Sequence, residues 1–242
     1  MEGEAAERNA DQTSQSSIEI KILQSRSEKV ALAKAFLSPW LQFFADDPLF
    51  STVDAYRTKE GEKNLEALLE HVLKNNDNPC VYAWDVNKNQ VAGFIVQNTH
   101  AVDDVAAGTN PIKQYNWSET ALRDIDKVYE FVAKIRKQFN LFSLLGVKKV
   151  LFMRYVNVAR EYRGQGIMGR LVATCLSEFQ KQQRGHEAIL AGCSNYYVHR
   201  KCLQLGMQLL LELDYSEMDN YKKMADYQTH SKLRCMVLKC RE

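Results

Sequence analysis

Apolar and polar residues alternate from Ile18 to Leu23, IEIKIL, with Ile18, Ile20 and Ile22 on one side. A period of two marks a half-buried strand, so ordered structure is expected to begin at Ile18. Ser25 to Glu28, SRSE, has capping-box spacing and predicts a helix start. That helix would carry Val30, Ala33, Phe36 and Leu37 on one side. Pro39 is expected to interrupt it. Pro48 forbids a straight continuation through FFADDPLF, Phe43 to Phe50, which reads as a turn or broken helix. Asn64 to Asn75, NLEALLEHVLKN, has the spacing of an amphipathic helix.

CVYAWDV and QVAGFIVQNT are β-rich runs on either side of Asn87-Lys88-Asn89, which predicts a hairpin. AVDDVAAGTNP reads as a loop. Trp117 to Phe139 is a long helical stretch with Ser118 as candidate cap. Lys149 to Val158, KVLFMRYVNV, is an apolar run read as a buried strand. A helix is expected from about Ile167 to Gln183, then a strand in EAILAGCS. NYYVHRKCLQLGM predicts a short helix ending at Gly206, a suitable C-cap residue. QLLLELDY and LRCMVLKC are read as strands. The succession describes one α/β domain with hairpins at both ends and no internal repeat.

Composition narrows the class without naming a function. The 242 residues are 45% hydrophobic and 26% charged, as expected of a globular protein. A net charge of +2 marks out neither a nucleic-acid partner nor a membrane surface. Cys80, Cys175, Cys193, Cys202, Cys235 and Cys240 show no C-x-x-C pair and no zinc spacing. They read as free thiols in a reducing cytoplasm, with no metal site. Residues 1–17 are acidic and polar with no apolar segment of a secretory signal, so a disordered tail is expected before a domain over 18–242. No apolar run reaches the roughly 18 residues that span a bilayer.

The chemistry concentrates in YRGQGIMGR, Tyr162 to Arg170. Glycine-rich turns ahead of helices hold phosphate. A P-loop is excluded, because Arg170 and Leu171 follow Gly169 where G-K-[ST] is required. Gly164, Gly166 and Gly169 match a dinucleotide fingerprint. They fall late in the chain, however, without the opening βαβ unit or the acid roughly 20 residues on. The third candidate is the R-x-x-G-x-G/A loop of acetyl-coenzyme A enzymes. Arg163, Gly164, Gln165 and Gly166 fit it, directly after a strand and before a helix. Backbone N–H groups from Gln165 to Arg170 can then face a pyrophosphate, and the helix N-terminus adds about half a positive charge.

YVNVAREYRGQGIMGRLV resembles motif A of the GNAT superfamily of N-acetyltransferases. DDPL (Asp46 to Leu49), KQFNLF (Lys137 to Phe142), RGQGIMGRL and CSNYYVHRKCLQLGM resemble, in this order, the marks of the insect arylalkylamine N-acetyltransferases. Those enzymes acetylate dopamine, serotonin and related amines. The likeness covers nearly all of the chain from Ile18. It implies a central mixed β-sheet flanked by helices, acetyl-CoA as cosubstrate, a small-molecule amine as acceptor, and a monomer. It places Val156, Asn157 and Val158 along the pantetheine arm. Arg163, Gly164, Gln165, Gly166, Ile167, Met168, Gly169 and Arg170 would surround the phosphates. Met168 departs from the Gly or Ala preferred there, so its side chain must turn away.

By the same resemblance Asp47 takes the place of a glutamate general base and is one methylene shorter. An unperturbed aspartate titrates near ~3.9, so burial must raise it or water must relay the proton. On the other reading Asp46 and Asp47 cap the next helix start, with Asp46 as capper or solvent group. Ser194 matches a serine of the proton relay, or else is a helix N-cap. The relay's second serine is Val198 here, so the relay is either absent or rebuilt from Tyr196, Tyr197 or His199. Cys202 replaces a tyrosine acid of other members and reads as packing. His71, His186 and His230 read as surface. Phe43, Phe44, Phe50 and Tyr56 either line an amine pocket or fill the core. The oxyanion donor would be a backbone N–H of Val156 to Val158, splayed by a bulge. Direct attack is favoured over an acetyl-cysteine. Polyamine, agmatine or amino-acid acceptors, a longer acyl donor, and a non-catalytic acyl-CoA-binding module stay open.

Overall fold

The computed structural model describes residues 17–102, 111–138, 141–182, 184–218, 220–224 and 228–240. The expected tail before Ser17, most of the AVDDVAAGTNP loop and the middle of KQFNLF lie outside them. Seven strands form one sheet in the order β1-β2-β3-β4-β5-β7-β6. They are β1 Ile18–Leu23, β2 Cys80–Asp85, β3 Gln90–Ala101, β4 Lys149–Val158, β5 Ala188–Cys193, β6 Gln208–Asp214 and β7 Lys232–Lys239. Neighbours run antiparallel except β4 and β5, which are parallel. The crossover between those two contains α6, Ile167–Gln182, as a parallel pair requires. The remaining helices are α1 Arg26–Ala31, α2 Ala33–Asp46, α3 Lys59–Lys74, α4 Glu119–Gln138, α5 Leu141–Leu145 and α7 Tyr196–Gln204.

Each face of the sheet carries its own core. On one, Phe36, Trp40 and Phe44 of α2 and Leu65, Leu68 and Leu69 of α3 pack with Phe94 and Tyr155 of the sheet. On the other, Leu171, Val172, Cys175 and Phe179 of α6 cover Val81, Ile95, Met153 and Ile189. Burying each large side chain contributes about 1.5–3 kcal/mol. Phe43, Phe44 and Tyr56 belong to the first core, with Phe50 packed on it, so these aromatics build the wall behind α2.

Two expectations about the first helix change. The Ser25–Glu28 capping box forms, but the helix breaks at Leu32 and then runs through Pro39. Trp40 beside the proline is fully buried and donates its indole N–H to the Leu65 carbonyl at 2.8 Å, so packing outweighs the missing N–H of Pro39. Val30 is half exposed, whereas Lys29 is fully buried. Its ammonium donates to the carbonyls of Asn76 (2.7 Å) and Asn78 (2.5 Å), pinning the turn between α3 and β2. His186 and His230, expected at the surface, are also buried. Nε2 of His186 is 2.8 Å from Oγ1 of Thr99, and burial pushes the ring down to about 4. Nδ1 of His230 accepts from the N–H of Tyr196 at 3.1 Å.

The β2–β3 hairpin turns through Asn89 at φ +53°, while Oδ1 of Asp85 accepts the N–H groups of Asn87 (3.0 Å) and Lys88 (3.2 Å). Its Oδ2 accepts the hydroxyl of Tyr162 at 2.7 Å, and Gln90 donates to that hydroxyl at 2.7 Å. The hairpin thereby anchors the residue that opens the glycine loop.

Lys29→Met should leave two buried carbonyls without a donor. A loss of about 1–3 kcal/mol is expected in urea denaturation, the cost of stranding buried polar groups. Unchanged stability would show that the ammonium does not hold that turn.

Candidate active site

The sheet opens where the site lies. β4 pairs with β5 only from Val150↔Ala188 to Met153↔Ala191, although β4 continues to Val158. The register with β3 passes from Val96↔Tyr155 to Gln97↔Met153, which leaves Arg154 as the extra residue of a bulge. A bulge bends its strand and increases local twist. Val156, Asn157 and Val158 therefore lie beyond the last β4–β5 pair, with the peptide edge toward β5 not engaged in the sheet. The expected bulge is present, two residues before the segment it was expected to splay.

Past β4, Arg160–Tyr162 make one 3-10 turn and the glycine loop leads into α6. Gly164 and Gly166 have φ of +81° and +73°, a region side chains disfavour, and a Cβ on either would meet nothing within 4 Å. Gly164, Gln165 and Gly166 are exposed, and the first turn of α6 holds no acidic residue. The N–H groups of Ile167, Met168 and Gly169 open that helix, ahead of its internal hydrogen bonds. Met168 packs against the second core, so its side chain does turn away. The exposed glycines and the N–H groups that follow them form an open cradle with no acidic side chain in the first turn of α6.

The arginines do more than supply charge. Arg163 donates from Nε to the Val158 carbonyl (3.0 Å) and from NH2 to Asp46 (2.7 Å). Arg160 makes a forked pair with the same carboxylate, one arm at 2.8 Å. The two guanidinium groups hold the Asp46 carboxyl below the usual range against the opposing effect of burial. Asp46 is thus neither capper nor solvent group; it ties the end of α2 to the glycine loop. Arg170 donates to the Ile18 carbonyl at 2.8 Å.

Asp47 points the other way. It follows α2, is buried, and accepts at Oδ1 from the N–H groups of Leu49 (3.0 Å) and Phe50 (3.3 Å). Oδ2 accepts from the hydroxyl of Ser194, at the end of β5. Burial raises the carboxyl to about 6, with the Ser194 hydroxyl and the two backbone donors opposing the rise. The turn-forming reading of Asp47 holds, since one oxygen orders the turn at Pro48, while the other oxygen meets Ser194. The N-cap of α7 is Asn195, which accepts from the Val198 N–H at 2.9 Å, so Ser194 is left free of capping.

The remaining candidates fall outside this pair. Cys202 is buried with its sulfur 3.9 Å from that of Cys193. Tyr196 and Tyr197 are exposed on α7. Both ring nitrogens of His199 are buried and without a hydrogen-bond partner among the described residues. Two contributors escaped sequence reasoning: Arg160, more than a hundred positions from Asp46, and Tyr215, whose hydroxyl donates to the Ser194 carbonyl at 2.8 Å.

The comparisons agree with this fold. Residues 45–206 match the acetyltransferase (GNAT) family. The chain belongs to that family of acetyltransferases, whose members use acetyl-CoA and an amine. Among solved structures, arylalkylamine N-acetyltransferase 2 from Aedes aegypti is similar with a TM-score of 0.70 at 21% identity, over 92% of this chain and 99% of that one. A putative arylalkylamine N-acetyltransferase 7 from the same mosquito gives 0.69 at 13%, over 92% and 87%. The Drosophila melanogaster polyamine N-acetyltransferase, which forms N-acetylagmatine, gives 0.65 at 15%, over 91% and 100%. No curated protein sequence matches. Among the described residues, no helix is long and apolar enough to cross a membrane.

Two outcomes are expected. Gly164→Val puts a branched side chain at positive φ in the cradle, so calorimetry should show a steep loss of coenzyme affinity in a folded protein; unchanged affinity would remove the loop from the site. For Asp47, the folded carboxyl binds its proton up to about pH 6, whereas the unfolded one releases it near ~4. Its contribution to stability is therefore greatest below pH ~4 and declines as pH rises to 6, by on the order of 3 kcal/mol. Asp47→Asn should be more stable than the parent at pH 7, and the difference should vanish at pH 4 in paired urea titrations.

Proposed function

We propose that the chain transfers the acetyl group of acetyl-CoA to the primary amine of a small molecule, by direct attack with both substrates bound. The observation that carries this reading is the Asp47–Ser194 pair: a buried carboxyl raised to about 6 beside a serine hydroxyl, next to the opening between β4 and β5. An ammonium has no lone pair, so the amine must lose a proton before it attacks. A base titrating near 6 is ionised at neutral pH and stays more basic than a free aspartate, which suits proton removal.

Acetyl-CoA supplies the activated acetyl thioester. Val156, Asn157 and Val158 offer their unpaired strand edge to the pantetheine arm, as a sheet edge takes an added strand. Gly164 to Gly169 face the pyrophosphate, with Arg163 and Arg170 at either end of the loop. A backbone N–H of the Val156 to Val158 segment stabilises the carbonyl oxygen as negative charge develops. Asp47 takes the amine proton, directly or through water, and Ser194 orients it. The cysteines support direct attack. Burial pushes Cys80 up to about 11, and Cys175 and Cys235 up to about 12. Cys202 alone is lowered, by a hydrogen bond from Cys193, and it is enclosed by the core.

For the acceptor, the reading is an arylalkylamine of the dopamine, serotonin, tyramine or octopamine type. The subgroup marks and the likeness to the Aedes aegypti enzyme support it. The Drosophila enzyme that forms N-acetylagmatine superposes nearly as well and keeps agmatine and polyamines as the second reading. Thiol release measured across aromatic amines, agmatine, polyamines and amino acids separates them.

Asp47→Asn should leave acetyl-CoA binding intact while kcat/KM falls by about 10²–10⁴, the usual scale for losing a general base. The deficit should shrink as pH rises, because more amine arrives deprotonated. The parent should show an acid limb in kcat/KM near pH 6 that the variant lacks. Asp47→Glu restores a carboxylate and should retain more activity than Asp47→Asn. An Asn variant as fast as the parent would rule out the base.

A further inference from the structure

Ser194 leaves β5 one residue after its last pairing with β7, Cys193↔Arg234, so its own carbonyl is beyond the ladder. The partner that carbonyl finds is the hydroxyl of Tyr215, at 2.8 Å. Tyr215 comes from the far side of β7. It follows β6 directly, and the sheet order places β7 between β5 and β6. Its backbone is fixed at both ends: its N–H donates to the Ser231 carbonyl (2.9 Å), and its own carbonyl accepts from Met218 (2.9 Å). Its ring is fully buried, with its centroid 5.6 Å from that of Phe131 on α4. Neither the backbone nor the ring has room to drift.

We infer that Tyr215 is a positioning residue for the Asp47–Ser194 pair, holding the Ser194 main chain so that its hydroxyl stays on the Asp47 carboxylate. This rests on the reading of Asp47 as base and adds the group that aims its partner. Ser194 has one hydroxyl proton and a rotatable side chain, and it lies between a strand end and the cap of α7. Without an anchor, its backbone is free to rotate and the hydroxyl swings off the carboxylate. Tyr215 supplies the anchor through a phenol that burial keeps protonated, so it donates throughout the working pH range. The groups packed around Asp47 are the Ser194 hydroxyl, the backbone N–H groups of Leu49 and Phe50, and Tyr215. The neighbouring Asp46 is engaged with Arg160 and Arg163. The serine hydroxyl is therefore the one side-chain hydrogen-bond donor on the Asp47 carboxylate among the described residues.

Tyr215→Phe keeps the ring and deletes only the hydroxyl. Because the Ser194 hydrogen bond lowers the Asp47 carboxyl, losing it should move the acid limb of kcat/KM to higher pH, by about half a unit or more. kcat should fall by about 5- to 10-fold, the scale of one lost hydrogen bond, with KM for acetyl-CoA unchanged. Ser194→Ala should shift the limb in the same direction, and adding Tyr215→Phe to it should shift it no further. Phe131→Leu loosens the packing of the same ring and keeps the hydroxyl; it should lower the melting temperature and move the limb less than Tyr215→Phe does. If Tyr215→Phe loses stability with its limb at the parental pH, or shifts the limb again in the Ser194→Ala background, Tyr215 is structural only. Failure of the base itself reads differently: Asp47→Asn would then keep the parental limb, whatever Tyr215 does.

Discussion

Two consecutive carboxylates at the end of α2 set the geometry of the site. Asp46 turns outward to Arg160 and Arg163, and Asp47 turns inward to Ser194. The helix reverses there because Pro48 cannot continue it. The side-chain oxygen of Asp47 then captures the N–H groups that the reversal frees. One backbone turn therefore fixes the glycine loop and the proposed base in a single frame. Further back, Asn157 of β4 donates to the Pro39 carbonyl at 2.7 Å, and Gln42 accepts from the Arg160 N–H at 2.9 Å. The whole C-terminal half of α2 is laced to the exit of β4.

Burying Asp47 is unfavourable for folding at neutral pH, and the protein offsets that with the aromatic wall behind α2. Trp40 lies 4.7 Å from Tyr155, Phe43 lies 5.1 Å from Phe44, and Phe44 lies 5.1 Å from Tyr56, centroid to centroid. A raised carboxyl suits the proposed proton acceptor, and on that reading the apolar packing serves the chemistry through its low polarity. The cost of a buried carboxyl and the stability of the core meet in the same few residues.

Much of this was legible in the sequence. β4, α6 and the glycine loop declare themselves through an apolar run, a helical period and the spacing of Arg163 and the glycines. The Asp47 and Ser194 positions came from resemblance to a family, since nothing local distinguishes a proton acceptor from a turn-forming aspartate. What escaped depends on distance in the chain. Lys29 faces inward because carbonyls nearly fifty residues away await it. Pro39 is tolerated because Trp40 is buried beside it. The bulge at Arg154 is a property of pairing with β3, invisible along β4 alone. Tyr215 looked like the last residue of a strand until the strand order placed it across β7 from Ser194.

The short seam between β4 and β5 has a mechanical meaning. Four residue pairs join a four-strand half-sheet, β1 to β4, to a three-strand half formed by β5, β7 and β6. Asp47 rides on the first half through α2, and Ser194 terminates the second. The hydrogen bond from the Ser194 hydroxyl to the Asp47 carboxylate is therefore a cross-tie: it joins the two half-sheets through side chains beyond the point where their strands stop pairing.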